Sequence, residues 1–317
     1  MQFDNQNASL EIGAWLICGA SAVFAAYLLI AGSVGVDVQS LGAPLLIMGF
    51  SIAAYIIYGR WRPEPIIRNV CGVLAVVMLS AAAAGIISLA GLRMGAPLVD
   101  ANLAAFDASL LLDTRSIVVA IANSTTFAGL LGLAYVSSFP ILFASVVFLG
   151  WTRHMRPLWQ LAFVFAFTAV GCATLSVFFP AMGAFAHFAY PAEVLNGLPS
   201  GAGVYHLPKF EYYRHAVAPT ISMSSLQGVV TFPSFHCCLA LMTAFAYVEH
   251  RWLLLISLLW NALVIVSTIP IGGHYMVDLP VGAAIWVTAY LLARALWPSR
   301  AETTLSLGRS KIASGLG

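Results

Sequence analysis

Long runs of apolar residues without a single charge set the pattern of this chain. A helix needs about 20 mainly apolar residues to cross the hydrocarbon core of a bilayer. Ile12–Val34, Leu41–Tyr58 and Asn69–Leu92 each supply such a run and predict three spanning helices. Ala96–Arg115 reads differently: Asp100, Asp107 and Asp113 interrupt it, while Leu98, Leu103, Phe106, Leu110 and Leu111 recur at near-helical spacing. That pattern predicts a helix lying along the membrane surface rather than across it. Ser116–Thr152 is uncharged but too long for one simple helix. The cluster Asn123-Ser124-Thr125-Thr126 makes its first half a poor span, so the fourth is placed at Gly129–Trp151. The fifth covers Trp159–Phe179 and stops near Pro180. Residues 181–232, rich in Gly, Pro and Tyr, predict a long loop. Pro233–Tyr247, Trp252–Ile271 and His274–Trp297 predict three more spans, and the polar residues 298–317 a disordered cytoplasmic tail. No internal repeat is visible.

Composition agrees. Of 317 residues, 61% are hydrophobic and 8% charged, against roughly 25% charged in a soluble domain. A formal net charge of +2 gives no reason to expect a nucleic-acid partner. Cys18, Cys71, Cys172, Cys237 and Cys238 all sit in apolar stretches without metal-type spacing, which predicts small buried hydrophobes. No Lys or Arg precedes the first apolar run, so that run is expected to be retained as an anchor rather than removed as a signal peptide. The cations also orient the chain. With both termini cytoplasmic, ten Lys and Arg fall inside and only Arg93, Arg115, Lys209 and Arg214 fall outside, as the positive-inside rule requires. The expected fold is all-α, a polytopic membrane helix bundle of about eight spans, with 181–232 on the outer side.

An ionisable group inside a span is costly, roughly 2.5–3.5 kcal/mol for Asp at mid-helix on insertion scales. Among the last three expected spans, the sixth and the eighth carry such groups. His236, in Phe232-Pro233-Ser234-Phe235-His236, opens the sixth. His274 and Asp278, in Gly272-Gly273-His274-Tyr275-Met276-Val277-Asp278, open the eighth. In the topology above all three lie at outer ends, and the long outer loop leads directly into His236. Positions four apart share a helix face, so Asp278 can reach the His274 ring. A carboxylate on one imidazole nitrogen fixes the tautomer and makes the other nitrogen more nucleophilic. Pro233 suits a first helical turn, and Thr231 or Ser234 could cap it. The free N–H groups of such a terminus attract an anion such as phosphate. Gly272-Gly273 lets the backbone turn sharply or approach a ligand closely.

These motifs carry a resemblance. Pro233-Ser234-Phe235-His236 matches the Pro-Ser-Gly-His of the type 2 phosphatidic acid phosphatase superfamily, with Phe for Gly. Ser267, His274 and Asp278 match its second motif, although Thr268 stands where an Arg is expected. The Phe-Pro-Ser-Phe-His and His-Tyr-x-x-Asp forms look most like the branch that includes inositol phosphorylceramide synthases. The resemblance covers about 66–297 and implies a six-helix phosphatase or phosphotransferase core there, with two further helices in residues 1–65. It implies that His274 is the nucleophile, that Asp278 orients it, and that His236 protonates the leaving oxygen and then activates the acceptor. It also implies phosphate contacts from Ser234 and Ser267. Lys209 and Arg214 stand in for an upstream cationic motif, with four residues between them rather than six. No metal or other cofactor is implied.

The expected activity is that of a lipid phosphate phosphatase of a bacterial inner membrane, its site facing the periplasm or exterior. Its partners are a lipid phosphate and the bilayer, and the oligomeric state is left open. Three alternatives stand beside it: a phosphotransferase acting on a lipid alcohol, a lipid transporter with a vestigial site, and a metal hydrolase using His236, His274 and Asp278 as ligands. The ten-to-four split of Lys and Arg makes a direct prediction. Single cysteine reporters at positions 200 and 310 should be labelled from opposite sides of the membrane; labelling of both from one side contradicts the topology.

Overall fold

The computed structural model describes residues 8–296. The expected tail at 298–317, like Trp297 at the end of the eighth expected span, lies outside them. Thirteen α-helices fall within the described residues. The chain opens with α1 (Ala8–Ala31), a short strand β1 (Gly35–Asp37), α2 (Gly42–Arg60) and α3 (Pro65–Gly91). Pro65 starts α3, where its missing N–H is no loss. Two short helices follow, α4 (Asp100–Ser109) and α5 (Thr114–Ala122), before the long α6 (Thr125–Trp151) and α7 (Met155–Phe178). Then come α8 (Ala184–Phe188), α9 (Ala192–Asn196), α10 (Leu207–His215) and the strand β2 (Thr220–Ser222). The chain closes with α11 (Phe235–Phe245), α12 (Arg251–Ser267) and α13 (Asp278–Ala295).

The bundle is built around α7. Trp159, Phe165, Ala166 and Cys172 are fully buried, on several sides of this helix. A helix that is apolar all round belongs at the centre, and α7 packs against α1, α3, α11 and α13. By contrast, α2 buries only Ser51 and Ala54. It leaves Leu46, Ile47 and Phe50 exposed, as α1 leaves Leu16, Val23 and Ile30. Apolar surface on this scale has no place in water. Five helical segments are long and apolar enough to cross a membrane: Ala8–Ala31, Val38–Arg60, Pro65–Met94, Thr125–Trp151 and Met155–Phe178. The protein is an integral membrane protein. One polar cluster joins the first three helices: Arg68 pairs with Glu11 at 2.5 Å, and the Tyr55 hydroxyl donates to the same carboxylate.

The structure corrects several expected boundaries. The break at Asn123 is real, because the Ser124 hydroxyl accepts from Phe127 N and restarts the chain as α6 at Thr125 rather than at Gly129. The single surface helix expected over Ala96–Arg115 is two elements, with a turn at Asp113 whose carboxylate caps α5 through Ser116 N at 2.9 Å. The last three helices are shorter than expected, with 11, 17 and 18 residues. At 1.5 Å per residue, α11 is only about 16 Å long. The sixth helix begins after Pro233, at Phe235, and the eighth begins at Asp278 rather than His274. Two causes act at the second point: Gly273 takes a left-handed φ of 78°, and side-chain carboxylates occupy the N–H groups of residues 275–277. The segment 181–232 is a folded cap rather than an open loop. Its β2 pairs in parallel with β1, Gly35 opposite Thr220, and so fastens the cap to the first hairpin. All five cysteines are free, and all but Cys71 are buried.

Candidate active site

The site begins at two adjoining helix starts. Ser234 N donates to Asp278 O at 3.2 Å, so α11 and α13 are tied backbone to backbone at the same end. Only a glycine fits at 282, since a Cβ there would stand 2.4 Å from Ser234 O. Ser234 caps α11 by accepting from Cys237 N at 3.4 Å, as a helix-start serine should. Of the two candidate caps, Thr231 does something else: its hydroxyl donates to Ala181 O at 2.5 Å.

His274 lies in the turn before α13. Its Nδ1 faces Asp278 Oδ2 at 3.1 Å. The expected contact is present, but its geometry is that of a turn and not of a helix face. The same oxygen accepts from Tyr275 N at 2.9 Å. With Nδ1–H given to the carboxylate, Nε2 is left as the lone-pair nitrogen, and it faces Ser234 Oγ at 3.3 Å. Ser234 therefore accepts from a backbone N–H and can donate to the nitrogen that would attack. Both His274 (2% exposed) and Asp278 (0%) are buried.

Two further carboxylates hold this turn. Asp107 accepts from Met276 N and Val277 N, each at 2.8 Å, and from the Thr114 hydroxyl at 2.7 Å. Asp100 accepts from Gly183 N at 2.8 Å, Met182 N at 3.0 Å and the Tyr275 hydroxyl at 3.1 Å. The residues of α4 that face inward are Asp100, Leu103 and Asp107. The sequence marked both acids only as charges within an expected surface helix. Glycines complete the packing: Gly203 N donates to Ile271 O at 2.7 Å, and a Cβ on Gly273 would stand 2.8 Å from Gly203 O. The close approach foreseen at Gly272-Gly273 is thus, at Gly273, to the protein's own cap.

His236 is the second residue of α11 and faces a cavity of about 930 Å³. Tyr135, Phe139, Tyr205, Phe235 and Ile271 line it beside His236, and small residues of α3, α6 and α7, with cap residues such as Pro199 and Leu226, form much of a largely apolar wall. No Lys or Arg is among the described lining residues. Tyr135 stacks on the His236 ring with centroids 4.2 Å apart. Sequence carried no signal for Tyr135, one tyrosine in an apolar helix.

The structure puts Ser234 and Asp278 within hydrogen-bond reach of His274, with His236 two residues beyond Ser234 at the start of α11, and places the other expected ligands elsewhere. Ser267 is buried in the last turn of α12 and donates to Val264 O at 2.6 Å. Thr268 donates to Ile265 O at 2.7 Å. Lys209, on α10, reaches Ser225 O at 3.0 Å and Gln227 Oε1 at 3.4 Å, and Gln227 lines the cavity. Arg214 donates to Ala96 O at 2.9 Å, and its own carbonyl accepts from Arg93. His206 donates to Met182 O at 2.8 Å; burial holds its ring below the ordinary imidazole value. Among the described residues, no three His, Cys, Asp or Glu side chains are grouped to hold a metal ion.

The family model of the PAP2 superfamily matches residues 101–292. That is more than half of the chain and includes Ser234, His236, His274 and Asp278, and the chain belongs to this superfamily. Phosphatase or phosphotransferase chemistry on a lipid phosphate comes with that membership. No curated relative and no solved structure matches the chain.

The clamp on the His274 turn makes a stability prediction. Hydrogen bonds to a charged group contribute about 1.5–3 kcal/mol each, and stranded buried donors cost a similar amount. Asp107→Ala should therefore lower stability by about 2–4 kcal/mol in detergent melts. Asp107→Asn, which keeps one acceptor, should lose less. Asp113→Ala, at an exposed cap, should lose less than Asp107→Ala. Equal melting of Asp107→Ala and Asp113→Ala would show that the turn is held by other means.

Proposed function

We propose that the protein hydrolyses a lipid phosphate through a phosphohistidine on His274, at the outer face of a bacterial inner membrane and without a metal ion. The observation that carries this reading is the placement of the two rings. One imidazole has Nδ1 on a buried carboxylate and Nε2 free to attack; the other faces an apolar cavity large enough for a lipid chain. Ligand cavities commonly measure about 300–1,000 Å³.

In the first step His274 Nε2 forms a bond to phosphorus while the ester P–O bond breaks. His236 gives its proton to the departing lipid oxygen. In the second step water attacks phosphorus, His236 takes the water proton, and the N–P bond breaks to release phosphate. Asp278 keeps the proton on His274 Nδ1, so that Nε2 stays the attacking atom. Ser234 turns from His274 Nε2 to a phosphoryl oxygen once that nitrogen is phosphorylated. Of the cations, Lys209 at the cavity rim is the better placed to meet the headgroup. Arg214 fastens the cap to Ala96, and Ser267 serves α12. Eight crossings, with both termini inside and 66–297 as the catalytic core, remain the arrangement we favour.

A phosphotransferase is the second reading, and the uncharged cavity wall favours it. Without Lys or Arg in the wall, a phosphodiester with one negative charge costs less to bury than a phosphomonoester dianion. The likeness to the inositol phosphorylceramide synthase branch points the same way.

Liposome assays decide between these readings. Phosphatidic acid, phosphatidylglycerol phosphate and isoprenyl diphosphate are each presented to the protein and free phosphate is followed. At least one should release phosphate, and His274→Ala and His236→Ala should lower that release about 10²–10⁴-fold. Release that appears only as transfer to an added lipid alcohol selects the second reading. Undiminished release by His274→Ala contradicts both.

A further inference from the structure

The two histidines of the site have different partners on Nδ1. His274 has the carboxylate of Asp278 at 3.1 Å. His236 has the hydroxyl of Tyr135 at 3.3 Å, and that hydroxyl has a second partner, the Tyr205 hydroxyl, at 2.8 Å. Tyr135 comes from α6 and Tyr205 from the outer cap, and both line the cavity with His236. The Tyr135 ring lies over the His236 ring at 4.2 Å with 20° between planes, and Phe139 meets the same imidazole edge-on at 6.2 Å. The imidazole is therefore fixed in position by stacking and in rotation by one hydrogen bond.

We propose that Tyr135, itself oriented by Tyr205, is the positioning residue that makes His236 the proton-transfer group of the reaction. The proposal rests on the reading of His236 as general acid and base. A phenol hydroxyl can accept a hydrogen bond from Nδ1–H and donate its own proton to a neighbour, here Tyr205. It thus keeps the Nδ1 proton in place whether Nε2 is protonated or bare, and the exchange of protons with leaving group and water is confined to Nε2. Its neutrality separates the two rings in kind. A carboxylate favours the positive charge that a phosphorylated His274 must carry. A phenol offers no such charge and leaves His236 free to gain and lose its proton within one turnover. The partner on Nδ1, rather than the ring itself, sorts nucleophile from acid–base.

Steady-state kinetics of the full-length protein in detergent, with phosphatidic acid in mixed micelles, test this. Tyr135→Phe keeps the stacked ring and removes only the hydroxyl. It should lower kcat about tenfold or more with KM within about twofold, because proton transfer is slowed while binding is not. Tyr205→Phe should give a smaller loss of the same kind. In the background of His236→Ala, Tyr135→Phe should cost nothing further, since residues that act as one unit are not additive. Wild-type kcat in Tyr135→Phe beside a crippled His236→Ala overturns the proposal and leaves the reading of His236 standing. Wild-type kcat in His236→Ala overturns both. A further loss on adding Tyr135→Phe to His236→Ala assigns Tyr135 to the structure at large and also overturns the proposal. If Tyr135→Phe cannot be purified folded, the Tyr205→Phe kinetics decide alone: a kcat loss supports the proposal, and an unchanged kcat overturns it.

Discussion

Everything at this site depends on buried carboxylates that bind backbone N–H groups of a turn which would otherwise be helix. Asp107 takes Met276 N and Val277 N, and Asp278 takes Tyr275 N. Carboxylates buried without partners would be untenable, and turn amides buried without acceptors nearly so. Each supplies what the other lacks. The helix can begin only at Asp278, and His274 is left on a fixed turn with Nε2 aimed at Ser234. Asp100 extends the same logic to the neighbouring chain at Met182 and Gly183, whose next residue, Ala184, donates to Gly273 O at 2.8 Å. A small set of acids on α4 thus carries the reactive turn from outside the helices that contain its motif.

The short final helices follow from this. A helix that began at residue 274 would be a better membrane span and a worse site, because the His274 ring would then take its direction from the helix rather than from Asp278 and Ser234. The structure gives up helix length at this end of the bundle and recovers the lost backbone hydrogen bonds from side chains and from the cap. That end of the bundle also meets the cavity. Small residues of α3, α6 and α7 leave room between helices, and His236 stands at its polar limit. A lipid substrate has one apolar and one charged part, and the cavity and the two histidines offer one surface for each.

How much of this was legible beforehand differs from residue to residue. The five long apolar helices followed from hydropathy alone, because length and the absence of charge are sufficient criteria in a bilayer. His236, His274, Asp278 and Ser234 were picked out by spacing; Ser234 and Asp278 contact His274, and His236 stands two residues beyond Ser234. The reason offered for the His274–Asp278 contact did not hold: a helical four-residue interval and a tight turn put the same two residues together. Asp100 and Asp107 stood out only as charges in a surface helix, because amphipathic periodicity says which positions share a face and not which face is inward; here the acids point in. Arg214 and Ser267 show the opposite failure. A cation or hydroxyl near a motif in sequence spends itself on the nearest unsatisfied carbonyl, and only the fold reveals where that is. Tyr135 had no sequence signal, since its contact with His236 exists only where α6 passes α11.

The central claim is that His274 becomes covalently phosphorylated. A substrate with a good leaving group, such as an aryl phosphate, hardly needs the proton that His236 supplies in the first step, whereas water in the second step must still give its proton to His236. Rapid-quench labelling of His236→Ala with radiolabelled aryl phosphate, followed by mapping of the label, tests this directly. The account predicts acid-labile phosphate that accumulates on His274 and is absent from His274→Ala. Slow turnover by His236→Ala with no retained label, or label that persists in His274→Ala, would contradict it.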